Sequence, residues 1–148
     1  MGSTFGVGRE APAFSLASHD GTVVALKDYR GEWSPVVVFL PDAGQAPAVI
    51  ESLTATLTQL WGVRSKPILI VAGAADVTLA AAAGAGFPVL ADPAGDVARR
   101  FGAWSPAQAR PLTATAIVDK TGKIVWMGEG AAALDTTVMI DALQSVVR

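Results

Sequence analysis

The chain has no cysteine among its 148 residues, and only one histidine and one tyrosine. The missing thiols exclude disulfides, thiolate metal sites, iron–sulfur clusters and every thiol redox cycle. One imidazole, His19, cannot form a two-histidine metal site. A Ser–His–Asp hydrolase would have to use this turn residue, and the expected state of His19 is a solvated side chain. Charge is also sparse, with 11 Lys plus Arg against 13 Asp plus Glu and a formal net charge of −2. That leaves no basic stripe for nucleic acid. The N-terminus has no basic segment leading into an apolar run, so no secretion signal is expected and the cytoplasm is the default location. No Gly-rich phosphate loop follows a strand, so nucleotide binding is not expected either.

Residues 67–91 carry a single charge, Asp76, and are long enough to cross a bilayer. Gly73, Gly84, Gly86 and Pro88 cut the stretch into strand, small-residue helix and strand, which fits a buried α/β layer and not a membrane span. The 51% hydrophobic content suffices for one domain over residues 1–148 without disulfides or metal.

The pattern reads as alternating strands and helices. Residues 14–16 and 23–25 flank Asp20-Gly21, a hairpin signal. The β-branched run at residues 36–40 predicts a strand buried on both faces. Pro47 suits a helix start, and Val49, Ile50, Leu53, Leu57, Leu60 and Trp61 recur at helical spacing, with Trp61 expected in the core. Residues 68–71 predict the next strand, 76–83 a helix of small residues, and 89–90 a short strand. Asp92-Pro93 is expected to cap a helix reaching Phe101. Residues 113–118 and 124–127 flank a second hairpin turn at Asp119, and Asp135 begins a final helix extending to Val147. Such an order predicts a sheet covered by helices on both faces.

Several local strings carry a resemblance. Ala11-Pro12-Ala13-Phe14, Leu26-Lys27-Asp28-Tyr29-Arg30-Gly31, Phe87-Pro88-Val89-Leu90-Ala91-Asp92-Pro93 and Thr115-Ala116-Ile117-Val118-Asp119-Lys120-Thr121-Gly122-Lys123-Ile124 occur in order. Together they resemble the AhpC/TSA (peroxiredoxin) family over nearly the whole chain. The resemblance implies a thioredoxin-like α/β fold of peroxiredoxin type, with a central mixed sheet and an N-terminal β-hairpin.

The family's active loop reads Pro-x-x-x-Thr-x-x-Cys, followed three residues later by Glu. On this chain Pro41 and Glu51 match, while Gln45 stands at the Thr position and Ala48 at the peroxidatic Cys. The family Arg falls on Thr113, with Arg110 as a stand-in, and a resolving Cys would fall on Leu53. In the family a thiolate attacks the O–O bond while Arg, the Thr hydroxyl and backbone N–H groups stabilise the developing charge. Alanine has no nucleophile, so no catalytic residue is assigned. Redoxin-type relatives are the nearest alternative resemblance, and their Cys-x-x-Cys motif is absent too.

The resemblance therefore implies a vestigial pocket of Pro41, Asp42, Gln45, Ala48, Glu51, Arg110 and Thr113, taking a small molecule or protein partner without cofactor or metal. An enzyme of another class could reuse it, with Asp42 or Glu51 as base and Arg110 holding an anion. An AhpC/TSA antioxidant label by family alone is the third reading. Asp42, Glu51 and Asp92 are also candidates for a glycosidase-like carboxylate pair, although Asp92 has the capping role. Trp104, beside a polar loop, is the candidate interface residue, and a homodimer is among the assemblies the resemblance allows.

Overall fold

The computed structural model describes residues 8–19, 21–72, 85–92, 94–130 and 135–146. The strands are β1 (Ser15–Ala17), β2 (Val23–Ala25), β3 (Ser34–Leu40), β4 (Ser65–Val71), β5 (Val89–Ala91), β6 (Trp104–Ser105), β7 (Arg110–Pro111), β8 (Ala114–Val118) and β9 (Ile124–Glu129). The helices are α1 (Ala46–Gly62), α2 (Asp96–Phe101) and α3 (Thr136–Val146). The helix expected at 76–83 lies outside the described residues, as do Asp20, Pro93 and Val147.

Every residue of β3 is buried, as its unbroken apolar run requires. It sits at the centre of a five-stranded sheet of order β5-β4-β3-β8-β9. β4 pairs in parallel with β3 and β5, whereas β8 runs antiparallel to β3 and β9, so the sheet is mixed. The expected neighbours are in register, with Val37 opposite Ile68 and Leu40 opposite Val71.

Because side chains alternate along a strand, β3 feeds two cores. Val36, Val38 and Leu40 join Val49, Leu53 and Leu60 of α1 and Met139 and Leu143 of α3. Val37 and Phe39 face the other way, toward Phe14, Val24, Val97 and Phe101. On that side the Phe39 and Phe101 ring centroids are 5.1 Å apart and tilted by 51°. The hairpin β1–β2 closes this second core and is joined to the sheet edge by a bridge between Ser18 and Leu90.

Two buried hydroxyls fasten the lower end of the sheet. Ser65 Oγ donates to the Ser34 carbonyl at 2.6 Å, and Ser34 Oγ donates to the Val118 carbonyl. Both satisfy backbone acceptors that would otherwise be costly to bury. At the β8–β9 turn, burial works to raise the Asp119 pKa, but hydrogen bonds from the Thr121 hydroxyl and nearby backbone N–H groups outweigh it and hold the carboxyl below its ordinary value.

Four expectations require correction. β1 begins one residue later than predicted, which leaves Phe14 free to turn into the core. Trp61 is 48% exposed, because α1 buries the row Ala46, Val49, Leu53, Thr56 and Leu60 and the next position turns about 100° away. The helix predicted from Asp92 starts at Asp96. The stretch from Ser105 to Arg110, read as a polar loop, is bounded by a small antiparallel ribbon pairing Trp104 with Pro111 and Ser105 with Arg110.

The burial pattern predicts unequal costs for two aromatic truncations. Phe39→Ala should lower unfolding free energy by about 3–5 kcal/mol, whereas Trp61→Ala should stay within about 0.5 kcal/mol of wild type. Urea unfolding followed by far-UV circular dichroism checks both. Equal losses would contradict the two-core arrangement.

Candidate functional site

The carboxyl end of β3 delivers the chain to the loop that the sequence resemblance marks as the candidate site. Pro41 is half-buried just after the strand. Asp42 Oδ1 then accepts the Gly44 N–H at 2.8 Å, a tight turn that spends part of this carboxylate on its own backbone. A Cβ at Gly44 would lie 2.9 Å from Asp42 Oδ1, so a larger residue there would push the carboxylate aside.

Gln45 is the N-cap of α1 and exposed, and its side chain makes no capping hydrogen bond. Pro47 opens the helix as expected. Ala48 is exposed in the first turn and lines an apolar groove of about 200 Å³ with Val49, Ser52, Leu53 and Met139. Glu51 points into solvent from the same helix. Met139, buried on α3, forms the far wall of this groove, a role that sequence reasoning missed. Its only signal was the apolar stripe of α3.

Thr113 is half-buried directly before β8, and its carbonyl accepts the Gly130 N–H at 2.9 Å. Phe39 is opposite Ala114, so continuing the register by one residue puts Thr113 beside Leu40. Pro41 and Thr113 therefore belong to the same end of the sheet. Arg110 is in β7, opposite Ser105, and its side chain lies outside the described residues.

The other candidates separate from this loop. Asp92 is buried, and its carboxylate accepts the N–H groups of Asp96, Val97 and Ala98 at 3.1, 3.0 and 3.3 Å. This confirms its capping role at a helix start where donors lack intrahelical partners. With Asp92 so engaged, Asp42 in its turn and Glu51 exposed, no glycosidase-like arrangement is formed by the described contacts.

Trp104 is half-buried, with the Arg99 guanidinium 4.2 Å from its ring centroid. Gly95 lies beneath it at φ +72°, and a Cβ there would come within 3.0 Å of both Trp104 and Pro111. Its packing is local.

His19 is not the solvated turn residue expected. The Val89 N–H donates to its Nδ1 at 3.3 Å, and Nε2 lies 3.3 Å from the Ala85 carbonyl. This pattern assigns the ring proton to Nε2. Ser18 Oγ is 3.1 Å from Nδ1, and the His19 N–H donates to the Val89 carbonyl at 2.9 Å. These bonds pin the hairpin to β5. Among the described residues no carboxylate contacts the imidazole, and no group of three or more His, Asp or Glu is gathered to hold a metal. Among them, too, no helix is long and apolar enough to cross a membrane.

This architecture is the thioredoxin-like fold of peroxiredoxins. Peroxidoxin BcpB from Mycobacterium tuberculosis superposes with a TM-score of 0.81 at 18% identity, over 93% of this chain and 95% of that one. AhpC from Mycobacterium tuberculosis gives a TM-score of 0.80 at 16% identity, over 95% of this chain and 92% of that one. The AhpC/TSA family model matches residues 7–127, and the chain belongs to that family. In sequence it is 32% identical over 129 residues to "Putative peroxiredoxin Rv2521" of Mycobacterium tuberculosis strain H37Rv, covering 80% of this chain and 81% of that protein.

The His19 network carries a stability prediction. His19→Ala removes an acceptor from the Val89 N–H and a donor to Ala85, and should cost about 1–3 kcal/mol. Chemical denaturation measures it. Stability unchanged from wild type would show that the imidazole does not clasp the hairpin.

Proposed function

We infer that this chain is a peroxiredoxin-family protein without thiol peroxidase activity, acting through ligand or partner binding at its altered active loop. The observation that carries the reading is Ala48. The resemblance sets it at the family's peroxidatic position; it stands in the first turn of α1 and borders an apolar groove with Met139, where a reactive thiol would need polar support. The groove suits a small apolar group or a partner's side chain, not a peroxide, which needs hydrogen-bond donors. Pro41 and Thr113 belong to the end of the sheet from which this loop leaves, and Gln45 is the N-cap of the helix that carries Ala48.

An enzyme of another class would need a free general base. Asp42 is held by the Gly44 N–H, and Glu51 stands exposed without a described orienting partner, so the binding reading has more support.

Restoring the thiol alone should not restore the chemistry. An unassisted cysteine has a pKa of about 8.5 and is only a few per cent thiolate at neutral pH. The N–H groups at the start of α1 lower this only in part. The Thr hydroxyl and Arg guanidinium remain absent at Gln45 and Thr113, and each missing preorganised donor costs roughly 100- to 1,000-fold in rate. Peroxide consumption with excess dithiothreitol should therefore be slow for Ala48→Cys. It should rise at least about 100-fold in the triple variant Gln45→Thr, Ala48→Cys, Thr113→Arg. A single variant as fast as the triple one would overturn this account of the loop.

A further inference from the structure

We propose that the cleft between the N-terminal strap and the end of α2 is a binding site for a small phosphate-bearing anion. Arg9, Arg99 and Arg100 line this cavity of about 170 Å³, together with Glu10, Gly102 and Ile124. Three guanidinium-bearing residues thus meet one carboxylate residue, in a chain whose net charge is −2. Among the described residues, none of the three arginines forms an ion pair with an acidic side chain.

Helix stability explains only part of this cluster. Arg99 and Arg100 occupy the last turn of α2, where a cation favours the exposed carbonyls. Arg9 comes from a different segment, and its like charge adds repulsion unless an anion shares the cleft. The fold nevertheless holds Arg9 there. Its carbonyl accepts the Ile124 N–H at 2.9 Å, and the preceding Gly8 N–H donates to the Ile124 carbonyl at 2.7 Å.

The other two arginines are held by their side chains. Arg100 Nη1 donates to the Ala13 carbonyl at 2.8 Å, which spends one of its five N–H donors. The Arg99 guanidinium lies 4.2 Å from the Trp104 ring centroid, a contact that uses none of its donors. Planar forks with donors to spare match the oxygens of a phosphoryl group. The cleft has room for phosphate or a short phosphomonoester. This site is separate in its residues from the Ala48 groove, and its test is independent of the peroxidase question.

The test is an NMR titration of backbone amides with inorganic phosphate at constant ionic strength, with chloride as the control salt. Saturable shifts are expected at Arg9, Gly102 and Ile124 in the range up to tens of millimolar. Arg9→Gln and Arg99→Gln should each weaken binding about threefold, and the double variant roughly tenfold. Lys120→Gln, at the β8–β9 turn, should leave it unchanged. Thermal unfolding without phosphate checks that each variant is folded. A parallel titration with glycerol 3-phosphate identifies the source: tighter binding than phosphate marks an organic ester, equal binding marks the free ion. Shifts that never saturate, that match those in chloride, or that survive the double variant would overturn the proposal. The wild-type titration is enough by itself to refute it.

Discussion

The two-sided burial of β3 is the constraint on which the rest of the structure depends. Val36, Val37, Val38, Phe39 and Leu40 are all essentially inaccessible to water. Each such side chain contributes about 1.5–3 kcal/mol on removal from water, an upper range because unfolded chains already bury some surface. That burial demands a layer on each face. α1 and α3 supply one, and α2 with the N-terminal hairpin supplies the other. The strand also fixes the candidate site, because its carboxyl end determines where Pro41, Gln45 and Ala48 stand. The scaffold needed for family chemistry is thus kept by hydrophobic packing that is indifferent to the chemistry itself.

This separation explains how a peroxiredoxin fold persists in a chain without cysteine. No core contact requires a thiol in the first turn of α1, where Ala48 is exposed. The helix is secured instead by Ala46, Val49, Leu53, Thr56 and Leu60 on its buried face. Fold and activity are therefore independent variables here, and only the site residues speak to activity. In the loop itself, Ala48 borders an apolar groove and Asp42 is turned to its own backbone.

Much of the fold was legible because its signals are local and strong. The runs in β3 and β4, the helical stripe of α1 and the Asp92 cap each report a single physical requirement of their own segment. What escaped depends on contacts far apart in sequence. His19 looked like a free turn residue because its partners, Ala85 and Val89, are about seventy positions away. Trp61 fitted the apolar pattern of α1, but the width of the buried stripe is set by the sheet beneath it. The ribbon of β6 and β7 has two-residue strands, too short for any alternation to register. At the site, a candidate set of loop residues was legible as what the family resemblance implies. The groove wall at Met139 was not, because it arises from the docking of α3 against α1.

The central claim of the proposed function is that this chain runs no thiol peroxidase chemistry, since its sequence has no cysteine to oxidise. The most direct measurement is hydrogen peroxide consumption by the metal-free wild-type protein, followed to completion with excess dithiothreitol beside a protein-free blank. The account predicts a rate equal to the blank at every protein concentration. A rate that rises in proportion to protein concentration, and persists after chelation of trace metals, would contradict it.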